Sequence, residues 1–240
     1  MGRFVPHRRY SYSVGVMSCT VDVISIGTLS ANPFWNERGR VRAAHATTTL
    51  IRDGGRTILV DPSAPAELLA HRLDERCGLK PGQIDTVFLT SFLPVHRRAL
   101  PLFEDAEWLL GEAERAAVIA RLTKALEEVE GPEPEAESSP MEIEQELAIA
   151  GRTKAAPERL TPTVHLFPCP GPTVGSCGLL IAAVKTIVVA GDAVLTRGHL
   201  EAGRVYERSV DPAQARESFT DIVEIGDIII PGHDNLIVTF

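Results

Sequence analysis

The chain alternates short apolar runs with polar breaks. Three β-branched or apolar runs come early: VDVISIG from Val21, ATTTLIRD from Ala46 and TILVD from Thr57. The last two flank Gly54-Gly55, a turn signal that predicts a hairpin. PAELLAHRLDERC, from Pro65, has helical spacing, with Leu68, Leu69 and Leu73 on one face and charges elsewhere. A strand DTVFLT, a helix-like HRRALPLF from His96 and a strand EWLL follow. From about residue 57 to residue 110 strands and helices alternate, the pattern of an α/β layered domain. After Leu160 the strands resume as TVHLFP, CGLLIAAV and TIVVAGD. A helix near DPAQARESFTDIVE and two runs, DIIIPGH and LIVTF, complete the pattern.

Between Glu112 and Leu160 the character changes. EAERAAVIARLTKALEEVE reads as a helix, GPEPEAESSP as a Pro/Ser/Glu loop with a mobile tip, and MEIEQELAIA as a second short helix. The expected product is a solvated helical hairpin, with a partner-binding arm as the sharper alternative. Charge belongs mainly to this segment. The formal net charge is -8, yet Glu127 to Glu146 holds nine acidic residues and no Lys or Arg. The remaining 23 acids and 24 bases nearly cancel, so no broad electrostatic footprint points to nucleic acid or membrane. The region Cys177 to Leu195 is the most apolar, but Lys185, Gly191 and Asp192 break it into two strands rather than a membrane span. Residues 1–18 form a basic tail without the apolar stretch of a secretory signal, expected to be disordered. Four cysteines without a CxxC pair suit a reducing, cytoplasmic setting. Residues 19–240 are expected to form one domain carrying the acidic helical insertion at about 112–160.

Four apolar strands end in short polar turns: LVDPS, LTSFLPVH, VVAGDAV and IIPGHDN. Those ends offer Asp61, His96, Asp192 and His233, which can converge at one edge of a layered sheet. Singly, an Asp after a strand is commonly a cap and a His a satisfied core residue. In this order they carry a resemblance to the metallo-β-lactamase superfamily, over roughly residues 21–240 apart from the acidic segment. LVDPS resembles the first motif, TSFLPVH the THxHxDH motif, CPGPTVG the PGHTPG turn, VVAGDAV the strand ending in the bridging Asp, and IIPGH the last His motif. The resemblance implies a four-layer αβ/βα sandwich of two mixed β-sheets with helices outside.

It also implies a dinuclear site, and this chain departs from it. The ligand positions of the first metal read Ser91, Leu93 and Pro172, and the carboxylate of the second reads Val95. Leu, Pro and Val donate no lone pair to a cation. His96, Asp192 and His233 remain, enough for one Zn, Fe or Mn ion, with Asp61 and Ser91 in support; a metal-free chain is the equal alternative. His165, Cys169 and His45 are further candidates as recruited ligands. The expected function is a depleted-site protein, non-catalytic or weakly active, that binds a small molecule or protein through the old cleft or the acidic segment. The alternative is a mononuclear hydrolase of a thioester, lactone or phosphodiester. No GxSxG, GxxxxGK[ST] or GxGxxG occurs, and HRR at 7–9 and 96–98 reads as exposed solvated charge.

Overall fold

A computed structural model describes residues 19–129 and 139–239. The basic tail and most of GPEPEAESSP, expected to be disordered and mobile, lie outside the described residues. Strands β1 (Thr20–Ser25), β2 (Thr48–Asp53), β3 (Arg56–Val60), β4 (Thr86–Leu89), β5 (Glu107–Leu110) and β6 (Lys154–Ala155) form one sheet in that order. A second sheet contains β7 (Val164–Pro168), β8 (Cys177–Ala182), β9 (Thr186–Gly191), β10 (Ile228–Pro231) and β11 (Ile237–Val238), ordered β11-β10-β9-β8-β7. Both sheets are mixed. In the first, β1, β2 and β3 pair antiparallel and β3 to β6 parallel. In the second only β9 and β10 pair parallel. The hairpin at Gly54-Gly55 forms as expected, with Asp53 opposite Arg56 and both glycines at positive φ, 60° and 84°. Positive φ at both central positions is what a two-residue turn of matching twist requires.

Period-two alternation sorts each strand's residues between two cores. Ile51, Ile58, Phe88 and Leu109 of the first sheet face Leu179, Ile181, Val189 and Ile230 of the second. Their neighbours Leu50, Leu59, Val87 and Leu110 point the other way, onto helices α1 (Ala66–Cys77), α2 (Glu112–Val129) and α3 (Pro140–Arg152). On the far side, Val188, Ala190 and Ile229 pack against Ile222 of α5 (Pro212–Ile225). The result is helix, sheet, sheet, helix. The central strand β4 is buried at all four positions, as a parallel strand covered on both faces must be.

Four expectations need correction. HRRALPLF forms no continuous helix: one 3-10 turn, Pro94–His96, ends at its first residue and another, Leu100–Phe103, closes it, because Pro101 interrupts any longer helix there. Leu68 stands outside the buried face of α1, 43% exposed, while Leu69 and Leu73 are buried. Strand β6 and a six-residue helix α4 (Arg197–Ala202) were not expected. The acidic hairpin is not merely solvated: Val118, Leu122, Ile143 and Ala150 join the outer core of the first sheet. Among the described residues its other acids are exposed, apart from Glu146, which is half-buried against Arg97, and Glu114, which is buried.

Candidate metal centre

Asp61 follows β3 directly, with φ of 49°, a left-handed conformation that Asp tolerates better than most residues. Its N–H donates to Phe88 O at 3.0 Å, which fastens the turn to β4. Its carboxylate accepts from Thr90 N at 2.9 Å, from the Thr90 hydroxyl at 2.6 Å and from His96 Nδ1 at 2.9 Å. His96 sits on the 3-10 turn after β4 and is fully buried. Asp192 follows β9 and His233 follows β10, on neighbouring strand ends of the second sheet. The glycine before each has a specific task. Gly191, at φ of 53°, backs onto Thr90, and a Cβ on Gly232 would stand 2.7 Å from Asp192 Oδ1.

The three side chains meet between the sheets. His96 Nε2 lies 3.2 Å from Asp192 Oδ2, and His233 Nε2 lies 3.2 Å from Asp192 Oδ1. Both Nδ1 atoms are turned outward onto acceptors: His96 onto Asp61, and His233 onto the His45 carbonyl at 2.9 Å. Those acceptors take the Nδ1–H of each ring and direct both Nε2 atoms at the carboxylate. The approach is proximity without alignment, for among the described residues His96 Nε2 and Asp192 Oδ1 are buried and have no hydrogen-bond partner. Unpaired polar atoms are costly in a low-dielectric interior. Electrostatics reinforces the group. Burial pulls the His96 imidazolium down, but Asp192 and Asp61 outweigh it and hold the group well above its usual value. Burial likewise opposes ionisation of Asp192, and the flanking His96 and His233 overcome it, pushing its carboxyl well below the usual range.

As a donor set, two imidazole Nε2 atoms and one carboxylate within 4.8 Å of one another fit a single transition-metal ion. The residues do not fit a second. Leu93 and Val95 line the adjoining cleft with apolar surface, Pro172 is buried, and Ser91 is buried with its hydroxyl unpaired.

No protein-family model and no curated protein matches the sequence. Solved structures do. A Thermotoga maritima protein assigned as a metallo-beta-lactamase superposes with a TM-score of 0.65 at 16% identity, covering 92% of this chain and 99% of its own. The chain has the metallo-β-lactamase fold. Bacillus thuringiensis AiiA, bound to N-decanoyl-L-homoserine, gives a TM-score of 0.62 at 17% identity, with 90% and 92% covered. AidC, a dizinc quorum-quenching lactonase, gives 0.58 at 16%, with 75% and 68% covered.

Within the metallo-β-lactamase fold, the structure brings Asp61, His96, Asp192 and His233 together as the sequence led us to expect. Ser91 hydrogen-bonds none of them. The recruited-ligand candidates fall outside the group. His165 is half-buried on β7, opposite Leu180. Cys169 is buried with its thiol directed at the Ala190 carbonyl, and burial pushes that thiol well up from its usual value. His45 contributes its carbonyl, while its ring bonds the Ile26 carbonyl. Arg97 is another correction, since it is buried and pairs with Glu146 rather than lying in solvent. Sequence reasoning missed Thr90, and it missed His199, which lines the cleft beside Asp192 and His233. His199 Nδ1 meets the Thr196 hydroxyl at 2.8 Å. A Thr three residues before a His at a helix start, with Thr196 capping α4, is the signal that would have found it.

Proposed function

We propose that this chain binds one transition-metal ion at His96, Asp192 and His233, and uses the adjoining cleft to bind a small molecule, with hydrolysis slow or absent. The observation behind this reading is the pair of buried, unpartnered atoms, His96 Nε2 and Asp192 Oδ1, beside a second imidazole whose Nδ1 is already held. A bound Zn, Fe or Mn ion would supply Lewis acidity toward an oxygen of the ligand. The chain's own residues do the rest. Asp61 and the His45 carbonyl orient the two rings, and Val95, standing where the fold's hydrolases have a carboxylate, neither orients a water nor accepts its proton. Four free cysteines suit a reducing, cytoplasmic setting, and among the described residues no helix is long and apolar enough to cross a membrane.

Elemental analysis of protein purified without chelator, and again after incubation with zinc, manganese or iron, tests this. We expect at most one ion per chain, lost in Asp192→Asn. Two ions would overturn the single-site reading. None under any condition would leave a metal-free binding protein in which the His–Asp–His group is only a hydrogen-bonded contact. Chelator-sensitive cleavage of a lactone, the substrate class of the quorum-quenching lactonase AidC, or of a thioester or phosphodiester, would favour the mononuclear hydrolase instead.

A further inference from the structure

One cleft adjoins the His96 group, and a second shares a wall with it. The first, of about 420 Å³, is bounded by Asp192, His199 and His233. The other, of about 790 Å³, runs from Ala44 to Leu100, Trp108 and Ile149. Both volumes fall in the small-molecule range of about 300–1,000 Å³. They share one wall. Ser30, Arg40, Ala44, Leu93 and Val95 line both, so the two clefts lie side by side on that shared wall and are treated together as one trough. Leu93 and Val95 are two of the positions where ligand residues of the fold's hydrolases have been replaced. A charged ligand there would leave an apolar body without a floor, whereas Leu and Val supply one.

Charge along the trough is unbalanced in one direction. The larger cleft is lined by four arginines, Arg40, Arg42, Arg97 and Arg98, and by no acid. Arg42 is paired with Glu37 and Arg97 with Glu146. Arg98 donates to the Ala44 carbonyl, and Arg40, like Arg208 in the smaller cleft, has no carboxylate or hydrogen-bond partner among the described residues. Two acids line the smaller cleft: Glu207 is paired with Arg204 and Asp192 is flanked by His96 and His233. The chain's acidity lies mainly in Glu127–Glu146, so this basic lining stands in a nearly neutral body and attracts an anion.

We propose that the trough binds an amphiphilic organic anion: a carboxylate or phosphate held by Arg40, and an apolar body laid over Leu93 and Val95 toward Leu100 and Trp108. The proposal rests on the preceding reading only in taking the His96 group as one end of the trough. Arg40 holds the charge with or without a metal.

Isothermal titration calorimetry of the full chain with octanoate, octyl phosphate and 1-octanol tests it, on chelator-treated and on metal-loaded protein. The anions should bind at least about tenfold more tightly than octanol, the scale of one charge-assisted hydrogen-bonded pair, and lose affinity as salt rises. Arg40→Gln, at an exposed position, should weaken both anions by about tenfold and leave octanol unchanged. Octanoate preferred over octyl phosphate identifies the head as a carboxylate, and the reverse as a phosphate. Octanol binding as tightly as the anions, no effect of Arg40→Gln, or no binding by any of the three would overturn the proposal. Protein that takes up no zinc, manganese or iron and still binds octanoate keeps the proposal while removing the metal reading; metal-loaded protein that ignores octanoate does the opposite.

Discussion

Glu114 is a buried carboxylate that holds backbone rather than a cation. It is 3% exposed, and its two oxygens accept from Phe92 N and Gly175 N, each at 3.1 Å. It thereby ties together TSFLPVH and the PGPTVG turn, which carry the altered ligand positions. Glu114→Ala would strand two buried N–H groups at about 1–3 kcal/mol each, so a loss of about 2–5 kcal/mol is expected in urea unfolding. Glu114→Gln keeps one carbonyl acceptor and should lose about half as much. A Glu114→Ala stability within about 0.5 kcal/mol of the parent would show that the two loops hold themselves. Residues of this kind were not legible in the sequence, because a Glu on an acidic helix looks like a solvated one. The same holds for the His45 carbonyl, since a backbone acceptor has no sequence signature. Asp61, His96, Asp192 and His233 were legible because each lies in the turn that follows an apolar strand.

Asp53, at the end of β2, links the two sheets. Its Oδ2 accepts from the Thr161 and Thr163 hydroxyls and from Thr163 N, just before β7. Burial opposes its ionisation, but the hydrogen bonds from Thr161 and Thr163 prevail and lower its pKa. A carboxyl depressed in the folded state contributes stability above its unfolded pKa of about 3.9, and that contribution is lost as pH falls through the folded value. Asp53→Asn should therefore destabilise the protein at neutral pH and flatten the acid side of its stability profile, as measured by thermal unfolding from pH 7 down to pH 3. An unchanged acid limb would assign the effect to other carboxylates. At this scale the sequence was informative wherever a strand carried an unbroken apolar run, as in β4 and β9. It was silent for β6, two exposed residues, and for α4, six residues long. It also misjudged the acidic hairpin, whose composition reflects its exposed face while Val118, Leu122 and Ile143 form the buried one.

For the whole molecule, the ownership of the site is what matters: Asp61 and His96 belong to the first sheet, Asp192 and His233 to the second. An ion held there joins the sheets and stabilises the folded state by mass action. Zinc at about 100 times its Kd would add about 2.7 kcal/mol, which at about 2–4 °C per kcal/mol for a chain of this size raises Tm by roughly 5–10 °C. The rise should disappear in Asp192→Asn; a rise that persists would place the ion elsewhere. The same division of ligands also orders events in time. Asp61 and His233 are 172 residues apart, and at about 5–20 residues per second His96 emerges on the order of ten seconds before His233. A nascent chain that has completed the first sheet holds Asp61 and His96 with neither partner across from them. An ion captured at this site would therefore be taken up only after the second sheet has closed over the first, and its presence would certify that the two sheets have docked.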